Sequence, residues 1–208
     1  MKKTSQALLK RVSHLQTQDS SEHIYDDWSN DYDADLIEEF GYISPRVSAQ
    51  VLSREISDRN IKIMDYGCGT GLVGAALDAA GFRGIDGVDI SAGMLKKAAD
   101  KNIYRKLSQL DLTAPTNLPD NHYDAAMCIG SMGAGHVGAR HIPELLRAIK
   151  PGGLFVIIIN SSYYQSEGFD RAVEEMQTQG LWKIRSMQNL NYMDALDRPG
   201  MLLLAECL

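Results

Sequence analysis

The stretch that decides the fold is Ile61 to Gly74, Ile-Lys-Ile-Met-Asp-Tyr-Gly-Cys-Gly-Thr-Gly-Leu-Val-Gly. Its apolar start predicts a short buried strand that ends at Asp65, and the run from Leu72 to Leu77 predicts the beginning of a helix. Between them lie three glycines at alternate positions, Gly67, Gly69 and Gly71. Glycine lets the backbone turn sharply and lets a ligand approach without interference from a Cβ atom. The stretch therefore predicts a nucleotide-cofactor site.

Two classes of cofactor compete for this turn. Gly69-x-Gly71-x-x-Gly74 matches the dinucleotide fingerprint, and Asp89 follows at the roughly 20-residue spacing of a ribose-binding acid. Asp65 separates the two classes, because it lies where a pyrophosphate would bind and its negative charge repels phosphate but attracts an ammonium group. S-adenosylmethionine has such a group and no phosphate. We favour S-adenosylmethionine and keep an NAD-dependent enzyme as the third-ranked reading.

Length and composition are those of one globular domain. The chain has 208 residues, 44% of them hydrophobic, and a formal net charge of −6, which argues against a polyanionic partner. No apolar run approaches the roughly 20 residues that span a bilayer, and no apolar core follows the opening Met-Lys-Lys-Thr as in a signal peptide. We therefore expect a cytoplasmic protein without a membrane partner. The one basic cluster, interpreted as a solvated helix end, is Lys2, Lys3, Lys10 and Arg11.

The cysteines predict no metal site. Cys68, Cys128 and Cys207 are odd in number and far apart, so neither a disulfide framework nor zinc-ligand spacing is present. We expect reduced thiols in packing roles.

The chain after the glycine turn alternates predicted strands and helices. Further strands are predicted at 85–88, 104–110, 123–129 and 154–159, with a cap at Ser91 for the second helix and a helix stop at 151–153. The tail differs, because 181–192 and 201–207 predict an antiparallel pair that follows a helix at 168–179.

An acidic, aromatic segment precedes the glycine turn. Tyr25, Trp28, Tyr32 and Leu36 fall on one face of a predicted helix, with acidic residues on the other face, and Ser44-Pro45 starts a second helix. Because the aromatic face must be buried, we predict that residues 22–40 form a lid over the cofactor, with the three aromatic side chains as contacts. The alternative is a helix packed on the core without cofactor contact.

Together the motifs resemble class I S-adenosylmethionine-dependent methyltransferases over residues 20–208. They are the glycine turn, Val88-Asp89-Ile90-Ser91-x-x-Met94-Leu95, Asp111-Leu112 and Lys150-Pro151-Gly152-Gly153. The stretch Tyr25-Asp-x-Trp28-x-x-x-Tyr32-Asp33-x-Asp35-Leu36, with Tyr42-x-x-Pro45, is similar to the methyltransferase-like family named after the Williams-Beuren syndrome chromosomal region. The resemblance implies an α/β fold with a Rossmann-like seven-stranded sheet, parallel with a C-terminal antiparallel hairpin and with helices on both faces. It also implies one domain, with residues 1–57 as a helical cap and 58–208 as the core.

The same resemblance implies a role for individual residues. Asp65 would hold the amino group of S-adenosylmethionine and Asp89 would accept both ribose hydroxyls. Structural alternatives remain, since an aspartate can cap a helix, an apolar side chain can be core and a glycine can simply make a turn. The remaining residues implied in cofactor binding are Gly67, Gly69 and Gly71 at the methionine part, Ile90 and Leu112 on the two sides of the adenine, Asp111 at its exocyclic amine, Gly130 through its carbonyl, and Cys68 and Met94 without a separate role.

The sulfonium of the cofactor is already an activated electrophile, so the protein has to align the acceptor and exclude water. Where the acceptor loses a proton, His136 after the fourth strand is the candidate base, although a plain loop histidine is the equal alternative. An Asn/Asp-Pro-Pro-Tyr/Phe motif and a Pro-Cys nucleophile are both absent after that strand. We rank a small-molecule acceptor first, a protein side chain second and nucleic acid third. A non-catalytic module that binds the cofactor or its product S-adenosylhomocysteine is the alternative from another class.

Overall fold

The fold is organised by seven strands that form one sheet. The structure is a computed structural model that describes residues 25, 26, 28, 31–133, 136–166 and 168–208. Its strands are β1 (Lys62–Tyr66), β2 (Gly84–Asp89), β3 (Lys106–Gln109), β4 (Tyr123–Ile129), β5 (Ile149–Asn160), β6 (Trp182–Asn191) and β7 (Pro199–Cys207).

The strand order is β3-β2-β1-β4-β5-β7-β6. Strands β1 to β5 pair in parallel, whereas β7 is antiparallel to both β5 and β6. This arrangement confirms the predicted fold class, including the C-terminal hairpin. The order reverses between β1 and β4, and in open α/β sheets ligands bind at the carboxyl ends of the strands at such a switch point.

Helices cover the connections between strands. They are α1 (Tyr32–Ala34), continued by a π-helical turn at Asp35–Glu39, then α2 (Ser44–Glu55), α3 (Leu72–Ala79), α4 (Ala92–Asp100), α5 (Ile142–Arg147) after a 3-10 turn at Ala139–His141, α6 (Ser161–Ser166) and α7 (Phe169–Thr178). Ser91 caps α4 as predicted, because its Oγ accepts from the backbone N–H of Met94 at 3.0 Å.

Two local predictions were wrong, and one helix was not predicted. The third strand is shorter than 104–110, because the Tyr104 ring turns under the glycine loop and comes within 3.0 Å of a Cβ built on Gly71. Pro151 to Gly153 do not stop a helix. They lie within β5 at a register shift against β4, after α5 has ended at Arg147. Helix α6 was not predicted.

The two faces of the sheet bury separate apolar clusters. Met64 and Tyr66 of β1 face one cluster, and Ile63 faces the other. The alternation follows from the period of two in a strand, and burial on both faces explains why β4 and β5 are almost continuously apolar.

A third cluster belongs to the segment that we call the aromatic cap, defined as Tyr25, Asp26, Trp28 and residues 31–42. Trp28, Leu36 and Phe40 are buried there against Met193. The expectation that its acidic residues all face away from the aromatic side was wrong for Asp35, which is buried and accepts a hydrogen bond from Trp28 Nε1 at 2.8 Å.

Some predictions fall on residues outside the described ranges. These are the basic cluster at the N-terminus, residues 22–24, 27, 29 and 30 of the predicted lid, and the part of the predicted N-terminal cap that precedes Tyr25. Within the described ranges, no helix is long and apolar enough to cross a bilayer.

Candidate cofactor and active site

A cavity lies at the carboxyl ends of β1, β2 and β4, where the strand order reverses. The empty space within it, counted together with the solvent at its open mouth, is about 800 Å³. One part of its wall is made by the glycine turn and by the residues that follow β2, and another part by tyrosines of the aromatic cap.

The glycine turn forms part of the cavity wall. Gly67 has a φ of +66°, and a Cβ built on it would lie 2.0 Å from Ser131 Oγ, so only glycine fits beneath the loop that follows β4. Ser131 Oγ in turn donates to the Gly67 carbonyl at 3.1 Å. Gly69 has a φ of +53° and no atom within 4 Å of a built Cβ. The backbone at Gly69 is therefore open for close approach by a ligand.

Asp89 is positioned by backbone donors from two loops. Its Oδ2 accepts from Gly69 N at 2.8 Å, and its Oδ1 accepts from Ser91 N at 2.9 Å. These bonds fix the carboxylate in the cavity wall, and each oxygen keeps a second lone pair for a ligand hydroxyl. Burial raises the pKa of Asp89, while the backbone bonds oppose that shift.

Asp65 lies beneath the glycine turn rather than in the cavity wall. It is fully buried, its Oδ2 accepts from Tyr104 Oη at 2.6 Å, and its Oδ1 has no hydrogen-bond partner among the described residues. Burial raises the pKa of Asp65 from 3.8 to about 7, against the opposing effect of the Tyr104 hydrogen bond. A buried carboxylate oxygen without a partner is energetically unfavourable, so this site suits a cationic ligand group nearby.

The aromatic wall contains three tyrosines and a histidine. Tyr25, Tyr32 and Tyr42 line the cavity together with His136, and Tyr25 Oη lies 3.1 Å from His136 Nε2. The pKa of Tyr25 is raised above its ordinary value, first by burial and then by the negative charge of Asp89. Burial raises the pKa of Tyr42 as well, so both phenols are protonated at neutral pH.

Two carboxylates of the aromatic cap bind it to the loops of the opposite wall. Asp26 accepts from Ser91 Oγ and from Gly93 N, the latter at 3.0 Å. Asp33 accepts from Thr70 Oγ1 and from Lys101 Nζ, the latter at 2.7 Å. We call these contacts the carboxylate bridges. They connect the cap to the glycine turn and to both ends of α4.

The structure brings most of the sequence-predicted site residues together. Those in the cavity wall are Gly67, Cys68, Gly69, Asp89, Ile90, Met94, Leu112, Gly130, Tyr25, Tyr32 and the candidate base His136. Burial raises the pKa of the Cys68 thiol, so the neutral thiol is the favoured form.

Four predicted residues lie away from the wall. Asp65 is beneath the turn, and Gly71 faces the Tyr104 ring. Trp28 packs behind the wall in the cluster with Leu36 and Phe40. Asp111 accepts from the backbone N–H and the hydroxyl of Thr113, both at 2.7 Å, which is the geometry of a local turn.

Sequence reasoning missed several residues that build the site. Tyr42 and Ser131 line the cavity, and Tyr104 supports Asp65 from below. The Tyr42-x-x-Pro45 motif was a signal for Tyr42 in the sequence, and both residues of this motif line the cavity. Ser131 and Tyr104 have no signal of their own, since their partners are far away in the sequence.

The cavity wall is acidic and aromatic. Asp89 is its charged side chain, and among the described residues that line it none is Lys or Arg. Such a wall lacks the donors that bind phosphate or carboxylate groups strongly. Within the described ranges, no group of three or more His, Cys, Asp or Glu side chains is arranged to hold a metal ion.

These residues fit S-adenosylmethionine. The open backbone at Gly69 admits a ligand, the oriented Asp89 carboxylate suits the two ribose hydroxyls, and the partnerless Oδ1 of Asp65 suits an ammonium group. Apolar side chains beside Asp89 provide a slot for a flat base, namely Ile90, Met94, Leu110 and Leu112.

Known proteins are similar to this chain in sequence and in fold. The family described as "Methyltransferase domain" matches residues 63–153. Human "Methyltransferase-like protein 27" is 36% identical over 167 residues, which is 77% of this chain and 67% of the human protein. The crystal structure of the [4+2]-cyclase SpnF has a TM-score of 0.69 at 19% identity, covering 93% of this chain and 97% of the cyclase. Magnesium protoporphyrin IX methyltransferase (ChlM) from Synechocystis PCC 6803, solved with bound S-adenosylmethionine, has a TM-score of 0.59 at 18% identity, covering 78% of this chain and 76% of that one.

Proposed function

Since the chain belongs to the methyltransferase-like family of S-adenosylmethionine-dependent methyltransferases, we propose that it transfers a methyl group to a small-molecule acceptor bound between the glycine turn and the aromatic cap. When bound, the cofactor supplies an electrophilic methyl group on a sulfonium. The protein's own residues then have to hold the cofactor, align the acceptor and keep water out.

The proposed residue roles follow from the geometry of the wall. Asp89 accepts the ribose hydroxyls, the backbone at Gly67 and Gly69 contacts the methionine part, and Ile90 and Leu112 enclose the adenine. Asp65 is buried beneath the glycine turn and does not line the cavity. Its negative charge attracts the ammonium group of the cofactor from there.

The observation that supports a small acceptor is the position of the aromatic cap. Its three tyrosines line the same cavity as the glycine turn, and the carboxylate bridges join the cap to that turn and to α4. We take this enclosure by the cap as support for a small acceptor over a protein side chain or a nucleic acid base. The lack of Lys and Arg among the described wall residues favours a neutral or cationic acceptor over an anionic one.

Two measurements test the proposal. Calorimetry is expected to detect S-adenosylmethionine and S-adenosylhomocysteine binding and no NAD binding, because Asp65 and Asp89 disfavour a pyrophosphate. Incubation with methyl-labelled S-adenosylmethionine and a metabolite extract from which macromolecules have been removed is expected to yield a labelled small molecule. A parallel incubation uses the macromolecular fraction of the same extract. Label in its protein or nucleic acid, with none in the small-molecule fraction, would contradict the proposed substrate class, and cofactor binding without transfer in either incubation would favour the non-catalytic module.

A further inference from the structure

We propose that Tyr25 and His136 form a proton relay, in which the Tyr25 hydroxyl takes the proton of a hydroxyl or amine acceptor and passes its own proton to His136 Nε2. This inference rests on the proposed function and deepens it, because it names the chemical class of the acceptor: a group that loses a proton when it is methylated.

The relay rests first on the contact between the two side chains. Tyr25 Oη and His136 Nε2 are 3.1 Å apart, within hydrogen-bond distance, and the ring centroids are 5.8 Å apart at an angle of 72°. Both residues line the cavity. A proton donor bound there can reach the phenol oxygen, which lies within hydrogen-bond distance of the imidazole.

Both partners are positioned by their neighbours. Asp26, adjacent to Tyr25, is bonded to Ser91 and Gly93. The backbone of the loop that carries His136 is bonded to itself, with His136 N donating to Gly133 O at 3.0 Å and Val137 N donating to Ser131 O at 3.1 Å. The contact therefore joins two separately fixed elements.

The surroundings of Tyr25 explain why a second group is needed. Burial, the negative charge of Asp89 and the nearby Tyr42 all raise the pKa of Tyr25, and the ring of Tyr32 packs 6.2 Å away. A tyrosinate is thus disfavoured, so Tyr25 can pass a proton on but cannot keep the charge that results from giving one up. His136 supplies a basic nitrogen for that proton.

The acceptor's O–H or N–H bond breaks as its heteroatom bonds to the methyl carbon. Tyr25 gains the acceptor's proton and gives its own to His136, which becomes imidazolium. The electron pair of the broken S–C bond stays on sulfur, and S-adenosylhomocysteine leaves with the methylated product. His136 returns its proton to solvent when the cavity opens.

The first test needs no acceptor. Long-range ¹H–¹⁵N spectra of the protein with S-adenosylhomocysteine at pH 7.5 identify which ring nitrogen of His136 carries the proton, with His136→Gln used for assignment. We expect the proton on Nδ1 and an Nε2 signal that shifts in Tyr25→Phe but not in the matched control Tyr164→Phe, whose ring packs near Phe169. A proton on Nε2 in the parent, or the same His136 signals in Tyr25→Phe, would overturn the relay.

The second test uses the labelled extract. Tyr25→Phe and His136→Gln are each expected to lower the rate of transfer by roughly 10²-fold, and the double variant to be no slower than the slower single variant, because the two residues act as one unit. S-adenosylhomocysteine affinity is measured on the same samples. Transfer by Tyr25→Phe at the parental rate overturns the relay alone, whereas absence of transfer by the parent overturns the proposed function and the relay with it.

Discussion

The two walls of the cavity are held in place by different kinds of contact. The wall formed by the glycine turn and Asp89 is fixed by backbone N–H groups at the ends of β1 and β2. The aromatic cap is joined to this wall by the carboxylate bridges of Asp26 and Asp33. Its last residues are also held by backbone hydrogen bonds between residues 40–41 and residues 194–195, and its apolar side chains by the buried cluster around Trp28. Backbone contacts at strand ends are as stable as the sheet, whereas side-chain bridges can open without unfolding it. The first wall is suited to rigid cofactor binding and the second to admitting and enclosing an acceptor.

The largest effect is expected from Asp89→Ala in the rigid wall. The change removes the carboxylate that we assign to the ribose, and each lost charge-assisted hydrogen bond costs about 1.5 to 3 kcal/mol. Calorimetry with S-adenosylhomocysteine is expected to show a loss of affinity of this size. Asp197→Ala, at an exposed position in the loop before β7, is the matched control. Parental affinity in a folded Asp89→Ala protein would remove the ribose assignment.

Asp65→Asn is expected to change the pH dependence of stability. In the folded protein burial raises the pKa of Asp65 to about 7, from 3.8. Between these values the folded state holds more protons than the unfolded state, so the stabilising effect is full below about pH 4 and is lost as pH rises through 7. The loss is on the order of a few kcal/mol.

Urea unfolding of the cofactor-free protein at pH 5 and pH 8 measures this effect. The parent is expected to lose stability between the two values, and Asp65→Asn to lose less, while its affinity for S-adenosylhomocysteine falls because the negative charge is gone. Parallel pH profiles for the two proteins would contradict the assigned pKa shift.

Tyr104→Phe tests the hydrogen bond from Tyr104 to Asp65 beneath the glycine turn. The ring that packs against Gly71 and Gly74 remains, but Asp65 Oδ2 loses its donor at 2.6 Å. An unsatisfied buried acceptor costs about 1 to 3 kcal/mol, so the free energy of unfolding at pH 8 is expected to fall by that amount. Tyr164→Phe serves as the control. The loss is expected to shrink at pH 5, where Asp65 is protonated, and an equal loss at both pH values would show that Tyr104 does not act through this carboxylate.

The contrast between the walls also explains what could be predicted from the sequence. The strand that ends at Asp89 and the cap at Ser91 follow from local patterns, because periodicity and capping involve near neighbours in the chain. The positions of Tyr104 and Ser131 cannot be predicted from local patterns, since each is set by contact with a residue far away in sequence. The π-helical turn at Asp35–Glu39 was missed for a related reason. Asp35 in this turn is buried and accepts a hydrogen bond from Trp28. The pattern of acidic and aromatic residues in the sequence does not reveal that this one aspartate faces inward.

The smallest effect in free energy is expected at the carboxylate bridges. Asp33 and Lys101 are partly exposed, and such pairs contribute about 0.2 to 1 kcal/mol. Asp33→Asn is therefore expected to leave overall stability nearly unchanged while it raises the fraction of molecules in which the aromatic cap is open. Amide exchange resolves the difference, because local opening is measured separately from global unfolding.

In the parent, the cap at residues 31–42 is expected to exchange faster than β1 without ligand and to become protected with S-adenosylhomocysteine, as a lid would. Asp33→Asn should accelerate exchange in the cap alone. The matched control is Arg83→Gln, which breaks the exposed Arg83–Asp78 ion pair.

Ligand should also change Trp28 fluorescence, and the change should be absent in Trp28→Phe, which retains the buried Trp182 of β6. Trp28 lies behind the tyrosines, so its signal reports movement of the cap rather than direct contact with ligand. Equal protection of the cap and β1, with or without ligand, would make the cap a fixed part of the scaffold and the acceptor's entry would then have to lie elsewhere.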